Sequence, residues 1–251
     1  MGTGNSLGVP ILGCDCVVCR SADPRDNRLR TAALVQSERT NIAIDAGPDF
    51  RQQMLRAKVR WLDGILLTHE HNDHIAGLDD VRPFNFRQKR PMDVYGLARV
   101  NQDLRERFPY IFSAQKYPGA PSINYCEVQA KQAFCVGDIE IEALGVSHGA
   151  LQILGYKFGK LVYLTDVNEI SDATLEQIGK PEILVLNALH EKRHHSQFNL
   201  EQAVNMSAKI AARKTYLVHM SHYMGLHAAV STTLPEGIEL AYDDLRVEVA
   251  N

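Results

Sequence analysis

The segment Thr68-His69-Glu70-His71-Asn72-Asp73-His74 gathers three imidazoles and the carboxylate of Asp73 into one short stretch, a density of ligating groups that a merely solvated loop has no use for. Neutral imidazole and carboxylate suit zinc, manganese or iron. In extended backbone, residues two apart point to the same side, so His69 and His71 can grip one ion while Asp73 and His74 turn to a second. Two cations roughly 3.5–4 Å apart lower the pKa of a shared water and clamp the attacking and leaving oxygens of an in-line displacement, which is hydrolytic chemistry. A second cluster, Cys14-Asp15-Cys16-Val17-Val18-Cys19, sets three thiols beside Gly13. A soft tetrahedral zinc site needs one ligand more. The chain holds five cysteines, and a C-x-C-x-x-C run is too tight for bridges between neighbours; structural zinc is the favoured reading and a redox or cluster-binding role the alternative.

These residues must be carried by regular elements. Gly64-Ile65-Leu66-Leu67 reads as a buried strand that delivers the histidine cluster to its carboxyl end, where α/β sheets build sites. Further strand-like runs are Ile42-Ala43-Ile44, Val94-Tyr95, Ile139 to Ala143, Leu161 to Leu164, Ile183 to Leu186 and Tyr216 to Val218. They alternate with helical stretches, the clearest running from a cap at Asn199 through Leu200, Ala203, Val204, Met206 and Ile210 to Lys214. With 251 residues, 45% of them hydrophobic, and no low-complexity linker or internal repeat, one catalytic domain over 1–251 is expected. No apolar run approaches the roughly twenty residues that span a bilayer, and no signal-peptide pattern opens the chain. A cytoplasmic protein without a membrane partner follows, in keeping with the reduced thiols. A net charge of -3 argues against a broad nucleic-acid-binding surface.

The H-x-H-x-D-H pattern after an apolar strand resembles the metallo-β-lactamase superfamily, and further residues extend the resemblance in chain order. His148 stands where that family places a third histidine for the first ion, Asp166 where it places the bridging carboxylate, and His219 where it places the last ligand of the second ion. The implied sets are His69, His71, His148 and Asp166 for one ion and Asp73, His74, His219 and Asp166 for the other, with Asp73 also counted among the catalytic residues. A redox di-iron relative carries an acidic residue at the position of His71, so the residue types favour hydrolysis. Within the superfamily the C-x-C-x-x-C run is similar to that of PhnP-type phosphodiesterases, in which a distant histidine completes a structural zinc site; His222 matches that place beside Cys14, Cys16 and Cys19. The resemblance implies an α/β (α+β) fold, the αββα sandwich, with two divalent ions in the active site, one structural zinc and, as in relatives, a homodimer. The family opens with an apolar strand before the glycine loop, whereas this sequence starts at the loop, Gly2-Thr3-Gly4-Asn5-Ser6; either the first residues are missing from this sequence or the homologue does without the strand, and in the second case the sheet gains an exposed edge.

Residues around the ions bear on the substrate. His195 matches a position where PhnP-like enzymes and ribonuclease Z turn a histidine to the phosphate, to stabilise charge or protonate the leaving oxygen; the competing reading is an exposed loop histidine beside Arg193 and His194. His190 is a weaker candidate. Asp45 reads as a carboxylate orienting a metal histidine or as a strand-end turn, and His227 as a supporting or loop-packing residue. The Thr3 to Ser6 loop offers backbone N–H groups to a phosphate. Arg82 to Arg90 interleaves bases with Phe84 and Phe86, either as the mouth for an anionic, ring-containing substrate or as an amphipathic surface segment. The expected activity is hydrolysis of a small or cyclic phosphodiester, with a ribonuclease Z-like RNA-processing nuclease, a thioester or lactone hydrolase and a non-catalytic metal-binding scaffold as alternatives.

Overall fold

In the computed structural model, which describes residues 1–249, two β-sheets lie face to face with helices on both outer sides. The first sheet holds β1 (Ala33–Gln36), β2 (Asn41–Ile44), β3 (Gly64–Leu66), β4 (Met92–Gly96) and β5 (Ile123–Glu127) in chain order. The second holds β6 (Ala133–Val136), β7 (Ile139–His148), β8 (Leu151–Phe158), β9 (Leu161–Leu164), β10 (Ile183–Asn187), β11 (Lys214–Val218) and β12 (Ile238–Leu240), again in spatial order of sequence. Strands β2 to β5 run parallel, as do β9 to β12, while β6 to β9 form an antiparallel meander.

The pleat sorts the side chains. Ile42 and Ile44 of β2 and Leu66 of β3 face the second sheet, where they meet Ile141, Leu154, Tyr156 and Tyr163. Their neighbours Ala43 and Ile65 face outward, onto α1 (Phe50–Arg56), α2 (Asn72–Ile75), α3 (Arg82–Gln88) and α4 (Ala98–Arg107), and α5 (Pro109–Phe112) closes that layer. On the far side α6 (Asp172–Ile178), α7 (Leu200–Ile210) and α8 (His227–Ser231) cover the second sheet through Ile178, Ala203, Ile210 and Val230. The order helix, sheet, sheet, helix is the sandwich expected from the sequence.

Every strand anticipated from the sequence is present. The Asn199 cap is a full capping box, its side chain accepting from Gln202 N–H while the Gln202 side chain accepts from Asn199 N–H. The helix is shorter than its apolar periodicity implied. It ends where Ala211 takes a left-handed turn, φ 58°, so Lys214 begins β11 instead of closing α7. Strand β1 is the outer member of its sheet among the described residues. The glycine loop stitches the two sheets, because Gly2 bridges Ala32 while Gly4 bridges both Arg30 and Met220.

Candidate metal centre

The polar residues collect where strands end. His69 and His71 follow β3, His148 closes β7, Asp166 follows β9 and His219 follows β11. Asp45, Asp166 and His219 each adopt a left-handed backbone just past their strands, φ 64°, 61° and 58°. Such a conformation in residues other than glycine costs of order 1–3 kcal/mol each and concentrates at functional sites.

Three sets of ligating atoms interlock there. The first is His69, His71 and His148, the second His69, His74 and Asp166, the third Asp73, His74 and His219, with the atoms of each set within 4.8 Å of one another. His74 Nε2 lies 3.2 Å from Asp73 Oδ2 and 3.3 Å from Asp166 Oδ2, and His219 Nε2 lies 3.0 Å from Asp166 Oδ1. Asp166 thus lies against His74 and His219, and its carboxylate also groups with His69. His74 Nε2 and both ring nitrogens of His219 are buried without a well-formed hydrogen bond. Buried polar atoms left so are costly, and a cation at this point satisfies them; the donor set fits a pair of divalent ions.

The imidazoles are aimed from behind. His74 Nδ1–H donates to Asp45 Oδ2 at 2.7 Å. Thr68 donates its hydroxyl to the same carboxylate and accepts from His69 Nδ1–H at 3.0 Å. His148 Nδ1–H donates to Ser196 O at 2.7 Å. Each contact leaves Nε2 free for an ion, the tautomer that ligation requires. Without an ion the electrostatics divide these imidazoles. Burial holds the His69 pKa well below its usual range, helped by the neighbouring imidazoles. Burial also opposes charge on His74, but Asp45, Asp166 and Asp73 overcome it and raise its pKa well above the ordinary value. Burial works against ionised Asp166 and Asp73, yet the surrounding imidazoles keep both well below the carboxylate range.

Contacts across the sheets fix the loop itself. Tyr156 donates its hydroxyl to Leu67 O at 2.6 Å and Leu154 N–H donates to Thr68 O at 3.0 Å, tying the exit of β3 to β8. Glu70 forms an ion pair with Arg99, Nε to Oε1 2.7 Å, on the outer side of the same loop. The turn after β2 lies so close to α2 that a Cβ on Gly47 would fall 1.9 Å from Asp73 O.

Cys14, Cys16 and Cys19 converge on His222, their Sγ atoms 3.3, 3.4 and 3.5 Å from its Nδ1. Ligands of a tetrahedral zinc at about 2.3 Å for sulfur and 2.1 Å for nitrogen stand roughly 3.6 Å apart, so the four side chains already have the separation that ion demands. His222 follows β11 just beyond His219, and Ser221 N–H donates to Leu189 O, so an ion here ties the N-terminal loop to the segment that carries an active-site imidazole.

The remaining candidates separate. His195 is exposed, its ring tilted at 41° to that of His194 with centroids 4.3 Å apart. His194 is the better buried of the two, and burial, with the neighbouring imidazoles, lowers its pKa. His190 packs beneath it, ring centroids 6.2 Å apart. His227 is buried against the Arg28 guanidinium, 3.3 Å from Nδ1, and Tyr242, a packing role apart from either cluster. In α3 Phe84 is buried against Phe50, while Arg82 pairs with Asp79, and Arg90 beyond the helix pairs with Asp63 and Asp93. That segment is chiefly an amphipathic surface element. The sequence reading passed over Ser196, Gln197 and Gly47, whose types carry no metal signal; only their contacts reveal them.

Residues 40–220 match the family described as beta-lactamase superfamily domain. The chain is 41% identical over 98% of its length to a protein named octanoyltransferase from Porphyromonas gingivalis, covering 50% of that protein. It is 29% identical over 62% of its length to exodeoxyribonuclease WalJ from Streptococcus pneumoniae, covering 57% of it. The chain thus spans about half the length of these curated relatives. A solved structure described as a new diphosphatase from the PhnP family superposes with TM-score 0.92 at 38% identity, covering 99% of this chain and 96% of that one. With the matched domain spanning most of the sequence and the sandwich carrying its ligating residues at the strand ends, the chain belongs to the metallo-β-lactamase superfamily.

Proposed function

We propose that this chain is a dinuclear metal-dependent hydrolase that cleaves small phosphate diesters or diphosphates. The observation that carries the reading is the position of Asp166, which lies against His74 and His219 and groups with His69 as well. His69, His71, His148 and Asp166 are assigned to one ion, Asp73, His74, His219 and Asp166 to the other, and Cys14, Cys16, Cys19 and His222 to a structural zinc. When bound, the pair of ions supplies Lewis acidity, activating water and neutralising charge on phosphoryl oxygens. The similarity to a PhnP-family diphosphatase supports phosphorus as the electrophilic centre.

The chain's own groups do the rest. Ser196 N–H faces His194 Nδ1 at 3.4 Å, which leaves the His194 proton on Nε2. We assign His194, rather than His195, to donate that N–H to an oxygen of the phosphate or leaving group. Lys192 and Arg193 precede it and are exposed. They suit a second phosphate or an anionic leaving group. Other bases near the cleft are taken up in ion pairs, Arg99 with Glu70 and Arg107 with Asp103, which favours a small substrate over a long polyanion. Three closely placed free thiols fit a reducing compartment such as the cytoplasm.

The test is a panel of diphosphates, linear and cyclic phosphodiesters, thioesters and precursor tRNA, run with zinc-, manganese- and iron-loaded protein and with Asp166→Asn as control. Turnover of a phosphate diester or diphosphate that is lost in the control supports the reading. Turnover confined to thioesters or to tRNA would replace it.

A further inference from the structure

Asp166 is held by a residue that no ligand motif contains. Gln197 Nε2 donates to Asp166 Oδ1 at 2.7 Å, and Thr165 donates its hydroxyl to Oδ2 at 2.8 Å. Both oxygens of the shared carboxylate are therefore fixed, one by an adjacent residue and one from a different segment. Gln197 is 8% exposed and Asp166 2%. An ionised carboxylate only accepts, so the amide must present its nitrogen, and the amide oxygen is left buried without a partner. The orientation of Gln197 is thus set by Asp166 and not by a competing protein contact at its oxygen.

The segment bearing Gln197 is itself anchored. Phe198 N–H donates to Val167 O at 2.8 Å and Leu189 N–H to Phe198 O at 3.0 Å, while the preceding residue, Ser196, offers its carbonyl to His148. Two consecutive residues of one strap thus reach a ligand of the first ion and the carboxylate common to both.

We propose that Gln197 is a positioning residue which sets the rotation of the Asp166 carboxylate and so the affinity of the ion held by Asp73, His74 and His219. That set has only one imidazole, His74, steadied by a carboxylate behind it, because neither ring nitrogen of His219 has a protein hydrogen bond. The first set has His69 and His148 both steadied by protein groups. Loss of a fixed Asp166 oxygen falls harder on the second set.

The proposal rests on the dinuclear reading, and a binding measurement separates the two. Gln197→Met keeps the volume and removes the donor; Gln197→Ala removes both and guards against a packing artefact. Chelator-stripped wild type and variants are titrated with zinc and with manganese by calorimetry, and thermal unfolding is followed with and without ion. Outer partners of metal ligands contribute about 10–100-fold in affinity or activity. The expected result is a second active-site ion weakened by that factor in both variants, the first ion weakened less, the cysteine-bound zinc unchanged, and kcat falling more than KM rises. Two ions bound by Gln197→Met with wild-type affinity would overturn the proposal alone, as would equal weakening of both ions. Wild type that binds fewer than two exchangeable ions would overturn the dinuclear reading and this inference with it.

Discussion

Asp45 governs one imidazole of each ligand set, and replacing it with asparagine tests how much of the centre depends on it. Its Oδ2 accepts from His74 Nδ1–H at 2.7 Å and its Oδ1 from Thr68 N–H at 2.8 Å, with the Thr68 hydroxyl passing the contact on to His69. The residue is fully buried, and asparagine has nearly the same shape but only one acceptor atom. If the amide oxygen stays with Thr68, its NH2 faces His74 and drives the His74 proton to Nε2, the atom 3.2 Å from Asp73 and needed for the ion. If the amide turns over, Thr68 N–H is orphaned. An orphaned buried donor costs about 1–3 kcal/mol, which for a chain of this size lowers Tm by roughly 2–12 °C. Metal affinity should fall by about 10–100-fold, since the loss falls on the atoms that aim the ligands. Calorimetric titration of the stripped variant beside its melting curve reads both. Full affinity for both ions in Asp45→Asn would refute the argument that this carboxylate sets the tautomers.

His194→Ala should retain its metal and lose roughly 10²–10⁴-fold in turnover, with a smaller loss on esters of nitrophenol, whereas His195→Ala should stay within a few-fold; the reverse ranking by steady-state kinetics would return the substrate-facing role to His195. Cys16→Ser should shed the tightly held zinc and melt earlier, seen by elemental analysis and thermal unfolding; a variant that keeps its zinc and its Tm would remove the structural site. Zinc binding there should weaken as pH falls. Burial and its thiol neighbours push Cys19 up to about 11 without the ion, so at neutral pH it must release a proton. Cys16, lowered to about 6 chiefly by the Cys19 backbone N–H, must release another only below that pH. The logarithm of apparent affinity should rise with pH with a slope of at least one above pH 7 and more steeply below 6, and a flat profile in competition titrations would contradict thiolate ligation. Gly47→Ala should weaken the Asp73-bound ion more than the His69-bound one, because its Cβ would meet Asp73 O at 1.9 Å; unaltered titration curves would show that the turn yields without moving α2.

The ligand residues were legible because their chemistry is local: three histidines and an aspartate at the end of an apolar run, three thiols in a cluster. Their division into two sets of four came from the family resemblance; the structure brings the same residues together as three overlapping groups of three. Strands β6 and β8 were less visible, since Ala133–Val136 is half-exposed and Leu151–Phe158 carries Gln152, Gly155 and Lys157 among its apolar residues. The end of α7 was misjudged because Ala211 turns left-handed without a glycine to announce it. His194 and His195 are chemically identical, so the sequence cannot rank them; the structure leaves His194 half-buried and His195 exposed. Gln197 and Gly47 act through contacts 31 and 26 positions away in sequence, to Asp166 and Asp73, and no short pattern encodes those.

The measurement closest to the central claim is a stepwise metal titration of chelator-stripped protein, with bound ions counted by elemental analysis and cleavage of a diphosphate or phosphodiester followed at each step. The account predicts one zinc that resists mild chelation, two further ions that exchange, and hydrolysis that rises with the second exchangeable ion. Full hydrolysis at the first exchangeable ion, or hydrolysis that survives removal of both, would contradict a centre in which Asp166 joins two metals.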